Sequence, residues 1–199
     1  MYKMNIGIYI YDNAEVLDFS GPFEVFSTAS RLSCPENLFN VFLIAETREP
    51  VHARGNFLIT PHYSISDHPA IDVLIVSGGV HTGEIKKPHI IEWVASTAES
   101  ATSVASVCTG AFLLAEAGLL SGRTVTTHWE DIEDLRASYP ALTVLTAQRW
   151  VDQGKLVTSG GISAGIDMSL HLVSKLASIE LAQKTARQME YDWNDDNAD

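Results

Sequence analysis

The segment from Ser103 to Leu120 narrows the choice of fold more than any other part of the chain. It reads Ser-Val-Ala-Ser-Val-Cys-Thr-Gly and continues Ala-Phe-Leu-Leu-Ala-Glu-Ala-Gly-Leu-Leu. The first part is small and β-branched, as suits a strand buried inside a sheet. The second is rich in Ala and Leu, as suits a helix. Cys108 falls at the join, and Gly110 follows two residues on, the pattern of a nucleophile elbow. Such a corner predicts a thiol exposed at the end of the sheet, facing the free N–H groups of the next helix. That partial positive charge favours the thiolate and predicts a pKa below the free value of about 8.5. The residue type alone fits a buried structural cysteine equally well.

Other apolar runs supply further strands: Met4 to Tyr11, Phe39 to Ala45 and Ile71 to Val76. Shorter strands are expected at Val125–Thr127 and Leu142–Leu145, with a hairpin over Arg149–Thr158 turning at Asp152-Gln153-Gly154. Val51 to Thr60 reads as a small excursion that turns at Arg54-Gly55-Asn56. Helices are predicted over Pro88–Ala98, Glu130–Ser138, Ala164–Ala177 and about Ile179–Tyr191. A further helix, capped by Ser20 or Gly21 with Pro22 in its first turn, ends near Arg31 and leaves Asp18 in the loop before it. Strands alternating with helices define an α/β fold with a mostly parallel sheet covered on both faces. No repeat, linker or low-complexity stretch divides the chain, so one domain is expected over residues 1–191, with 192–199 an acidic, frayed tail.

Composition excludes several function classes. The 199 residues carry a formal net charge of −12, which opposes binding to nucleic acid through the bulk surface. Two cysteines, Cys34 and Cys108, without CxxC or metal-like spacing, do not make a disulfide scaffold and fit a reducing, cytoplasmic setting. The apolar N-terminus runs straight into Asp12 and Glu15 and reads as a strand, not a signal peptide, and no apolar run reaches the length of a membrane span. His81, His89 and His171 lack ligand spacing with each other or with carboxylates, so neither a metal nor another cofactor is expected.

In a parallel sheet, ligands sit at the carboxyl ends of the strands. Three loops there are predicted to converge: those carrying Asp18, Gly78-Gly79 and Cys108. Cys108 would act as nucleophile. Asp18 close to a thiolate would be partly protonated by like-charge repulsion and able to donate a proton, or else is a plain helix-start charge. Gly78 and Gly79 would let backbone N–H groups approach a developing negative charge, or simply turn the chain. Thr109 places a hydroxyl and an N–H beside the thiol and can cap the helix. His128 could orient the thiol or serve as acid–base, or be a structural histidine beside Trp129. Ile162 could line the pocket or only pack. Cys34, before Pro35, is expected to be incidental.

Taken together, Leu17-Asp18-Phe19-Ser20-Gly21-Pro22, Ser106-Val107-Cys108-Thr109-Gly110, Ala117 to Arg123, Thr126-Thr127-His128-Trp129 and Thr158 to Asp167 resemble the ThiJ/PfpI superfamily, which has the class I glutamine amidotransferase-like fold. Within it the chain is most similar to the isocyanide hydratase branch and to the amidase-like domain of AraC-type regulators. The resemblance implies a flavodoxin-like αβα sandwich, a homodimer, a nucleophilic Cys108 and an acidic partner in Asp18. It implies hydration of an isocyanide to an N-substituted formamide, with Thr109 matching that branch's threonine. The protease-like branch carries His directly after Cys, so Thr109 disfavours peptidase activity. The AraC-type branch adds a helix-turn-helix region. The end at Asp199 and the acidic charge disfavour direct action on DNA, and the chain stops sooner after Tyr191 than isocyanide hydratases are expected to. Two alternatives accompany the enzyme: a redox or ligand sensor acting through a partner, and a glyoxalase- or deglycase-like activity on carbonyls.

Overall fold

The computed structural model describes residues 3–193. Its elements are β1 (Met4–Tyr9), α1 (Val16–Leu32), β2 (Phe39–Ala45), β3 (Val51–Ala53), β4 (Phe57–Ile59), β5 (Tyr63–Ser64), β6 (Val73–Val76), α2 (Pro88–Ser100) and β7 (Ser103–Ser106). There follow α3 (Gly110–Glu116), β8 (Thr124–Val125), α4 (Ile132–Ser138), β9 (Thr143–Val144), β10 (Trp150–Gln153), β11 (Leu156–Ser159), α5 (Ala164–Leu176) and α6 (Ile179–Gln188).

Seven strands form the central sheet in the order β10-β11-β7-β6-β1-β2-β5. Every neighbouring pair is parallel except the β10–β11 ribbon. Successive strand residues point to opposite faces, yet Ile6, Ile8, Tyr9 and all four residues of β6 are buried, so helices cover both faces. The architecture is the expected α/β layering. Tyr9, Val76, Ser106 and Thr158 lie level across four adjacent strands. The loops that leave these residues therefore emerge side by side at one end of the sheet, and this register builds the site.

One local expectation needs correction. Helix α1 starts at Val16, so Asp18 sits in its first turn and not in a preceding loop, while Pro22 lies inside the helix. The early turn is held by the Asp18 N–H donating to Glu15 O (3.1 Å) and the Ser20 hydroxyl donating to Val16 O (2.8 Å). Pro22 removes only the N–H that would have bonded to the Asp18 carbonyl. At the other end, residues 194–199 of the acidic tail lie outside the described residues, but Trp193 packs against the core. The small pairs β3–β4 and β8–β9 stand apart from the main sheet, the first antiparallel and the second parallel.

Candidate active site

Cys108 occupies the left-handed region, with φ +56°. For a residue with a Cβ this conformation costs about 1–2 kcal/mol and must be held by its surroundings. Two separate segments hold it. Its N–H is shared between Ser159 O (3.2 Å) and Gly160 O (3.3 Å), and its carbonyl accepts the Thr127 hydroxyl at 2.8 Å. Two residues on, a Cβ at Gly110 would lie 2.2 Å from Val76 O, so only glycine lets α3 begin this close to the end of β6. The elbow read from the sequence is present, but the thiol is not exposed: Cys108 is 6% accessible.

Asp18 is fully buried behind the sulfur. One carboxylate oxygen accepts the Gly78 N–H at 3.1 Å, and the other is buried without a fixed partner beside the thiol. A Cβ at Gly78 would stand 2.6 Å from Thr109 N and 2.8 Å from both Asp18 Oδ2 and Cys108 Cβ. Asp18, Cys108 and Thr109 thus converge on one point, and glycine is needed there for room. Gly79, at φ +136°, has Asn13 O 2.3 Å from where its Cβ would be.

These contacts count against the oxyanion reading of the two glycines. The Gly78 N–H is committed to Asp18, and the Gly79 N–H to Thr109 Oγ1 at 2.8 Å, while the Thr109 hydroxyl donates back to Gly79 O at 2.9 Å. Neither N–H is free to meet a developing charge. The donor that does face the sulfur is the Thr109 N–H.

Electrostatics also opposes the expected thiolate. Burial pushes the Cys108 thiol well above its ordinary range, and the Asp18 charge pushes the same way against the Thr109 N–H. Burial also raises Asp18 to about 8, with the Glu15 charge second; the Gly78 N–H, the thiol and Arg54 oppose the shift. The acid is thus neutral near pH 7 as expected, but desolvation is the main cause, not repulsion by a thiolate. Both shifts favour a carboxylic acid beside a thiol over a charge on either group.

The sulfur opens onto a cavity of about 180 Å³ whose wall includes Thr109, His128, Ile162, Glu15 and Arg54. His128 stands across Gly161 from the thiol. A Cβ at Gly161 would be 2.2 Å from His128 Nδ1 and 2.9 Å from Cys108 Sγ. His128 Nδ1 is buried and unpartnered, and Nε2 lies 3.6 Å from Glu130 Oε2. Sequence reading missed Gly161, whose only signal was the paired Gly160-Gly161 before Ile162. It missed Arg54, read as part of a turn, which bonds Glu15 at 3.2 Å on the cavity wall. It missed Tyr11, buried next to Thr109 with its hydroxyl unpartnered among the groups of the site.

Cys34 is exposed and remote from this cavity. His89 and His171 do meet single carboxylates, Glu46 at 2.9 Å and Asp152 at 2.7 Å, because tertiary packing joins residues far apart in sequence. Among the described residues no group of three or more His, Cys, Asp or Glu could hold a metal, and no helix is long and apolar enough to cross a membrane.

Comparison with known proteins places this geometry. Residues 4–175 match the DJ-1/PfpI family model. An isonitrile hydratase from Pseudomonas putida is 34% identical over 189 residues, which cover 94% of this chain and 78% of that protein. The HTH-type transcriptional regulator GbdR of Pseudomonas aeruginosa is 28% identical over 94% of this chain, which spans only 51% of the regulator. Among solved structures, a THiJ/PfpI family protein from Pseudomonas syringae superposes with TM-score 0.85 at 26% identity, covering 98% of this chain and 77% of that one. Drosophila melanogaster DJ-1beta has the same fold, with TM-score 0.82 at 19% identity over 96% of this chain and 100% of its own. The elbow, the parallel sheet and the sequence match together make this chain a member of the DJ-1/PfpI family.

Proposed function

We propose that the protein is a cysteine-dependent hydratase of isocyanides, with Cys108 as nucleophile and Asp18 as proton carrier. The observation that carries this reading is the neutral carboxyl of Asp18, buried beside the Cys108 sulfur with one oxygen unpartnered. The similarity to the isonitrile hydratase supports it. The isocyanide carbon bonds to sulfur, Asp18 delivers its proton to that carbon, and the thiol proton replaces it on Asp18. The product of this half is a thioformimidate, R–N=CH–S–Cys108. Water then adds to its carbon, nitrogen takes up a proton, and the C–S bond breaks to give R–NH–CHO and the thiol. An acid that titrates near the working pH suits both halves, since it must give and retake a proton. Starting from a neutral thiol, the pair needs no standing thiolate in a buried site.

The test is formamide production from a panel of alkyl and aryl isocyanides, followed by mass spectrometry, with Cys108→Ala as control. Turnover lost in that variant is the expected result; turnover that survives it overturns the reading. A sensory role is the second reading, supported by the similarity to GbdR over half of that regulator. It requires a ligand that raises thermal stability through this cavity without being consumed.

A further inference from the structure

We propose that the mouth of the Cys108 cavity selects substrates that carry a positive charge on the substituent and rejects anionic ones. The inference rests on the reading of this cavity as the reaction site and adds a substrate class to it.

An isocyanide head group is small and offers no N–H or O–H, so it gives the protein little to distinguish. Discrimination falls to the N-substituent, which points away from the reacting carbon and therefore toward the mouth. The fixed charges there are Glu15, Arg54, Glu130 and Asp131. Arg54 is tied to Glu15 at 3.2 Å, and that pair largely cancels. Glu130 and Asp131 remain. Among the described residues neither has a Lys or Arg within ion-pair distance; the nearest basic group to Glu130 is the His128 imidazole at 3.6 Å. The backbone keeps the two carboxylates together, on the 3-10 turn Trp129–Asp131 that follows His128. The field of Asp131 reaches the sulfur itself, where it disfavours added negative charge. The formal charge of the whole chain, −12, has the same sign.

Two uncompensated charges several ångströms from a passing ligand change the approach rates of a cation and an anion in opposite directions. At low ionic strength the rates should differ on the order of tenfold, and about 1 M salt should remove most of the difference.

The test uses thiol reagents of matched size and opposite charge, so it does not depend on isocyanide hydration. With 2-aminoethyl or 2-sulfonatoethyl methanethiosulfonate, the cysteine sulfur forms a disulfide, methanesulfinate leaves with the bonding pair, and the thiol proton passes to solvent. Labelling of Cys108 and of exposed Cys34 is read in the same sample by peptide mass spectrometry. The cation-to-anion rate ratio at Cys108, divided by that at Cys34, should be about ten or more at 10 mM salt. It should collapse at 1 M salt and fall several-fold in the double variant Glu130→Gln, Asp131→Asn. A ratio near or below one overturns the proposal, as does a ratio the double variant leaves unchanged. Labelling of Cys108 by a neutral methanethiosulfonate of the same size but by neither charged reagent overturns it too, since a charged ligand then has no route to the sulfur. If selectivity is observed but no isocyanide is hydrated, the hydratase reading fails and the charge filter stands.

Discussion

Replacing Asp18 with Asn should make the protein more stable and nearly inactive. The Asp18 carboxyl titrates near 8 in the folded chain against an ordinary value of 3.8. Through that interval the native state holds a proton that the unfolded chain has released, so stability is greatest below 3.8 and declines as pH rises toward 8. Each unit is worth about 1.4 kcal/mol, so at pH 7 the buried acid costs roughly 4 kcal/mol relative to a neutral side chain. Asparagine is neutral at every pH and can still accept the Gly78 N–H through its amide oxygen. Urea denaturation of both proteins from pH 4 to 8 measures the difference. It should be about 0.5 kcal/mol at pH 4 and grow by about 1.4 kcal/mol per unit from pH 5 to pH 7. Turnover should fall by about 10²–10⁴, the usual worth of a positioned acid–base group. A stability difference that does not change with pH would refute the reasoning, because Asp18 would then ionise in the fold as it does in the open chain.

Gly161→Ala should lose turnover and about 1–3 kcal/mol of stability, since its Cβ would fall 2.2 Å from His128 Nδ1 and 2.9 Å from Cys108 Sγ; thermal melts and the formamide assay check both. Arg149→Ala strands the carboxylate of Asp167, which is 2% exposed and, among the described residues, keeps the Tyr191 hydroxyl at 3.0 Å. A loss of roughly 3–5 kcal/mol in urea is expected. Sedimentation at micromolar concentration should give a homodimer, with twice the mass of the chain; a monomer would remove that expectation, which derives from the family.

The elbow was legible because two local signals agreed. The apolar run into Val107 and the Ala/Leu run after Gly110 leave Cys108 no place but the corner. The convergence of Asp18 and Gly79 on it followed from placing the three loops at the carboxyl ends of parallel strands. The start of α1 was not legible, because Pro22 is a stronger local signal than the bonds at Glu15 and Val16 that let the helix begin earlier. Gly161 was invisible for a different reason: what it contributes is the absence of a side chain between two others. The sign of the thiol's shift was missed because it depends on how deeply Cys108 and Asp18 are buried, which only the assembled sheet determines. The commitment of both glycine N–H groups is likewise a tertiary fact.

The unusual backbone of Cys108 also bears on the order in which the chain is made. Thr127, Ser159 and Gly160, which hold it, come from positions well beyond the cysteine. A ribosome that has released Cys108 has yet to supply them. Until residues near 161 have emerged, β11 cannot pair with β7 and the Gly161 side of the sulfur is uncovered. Over that stretch of synthesis Cys108 lacks the contacts that fix its backbone and complete its burial. The burial that later sets its acidity is a late acquisition, so the nascent chain is more exposed to adventitious modification at this position than the finished protein.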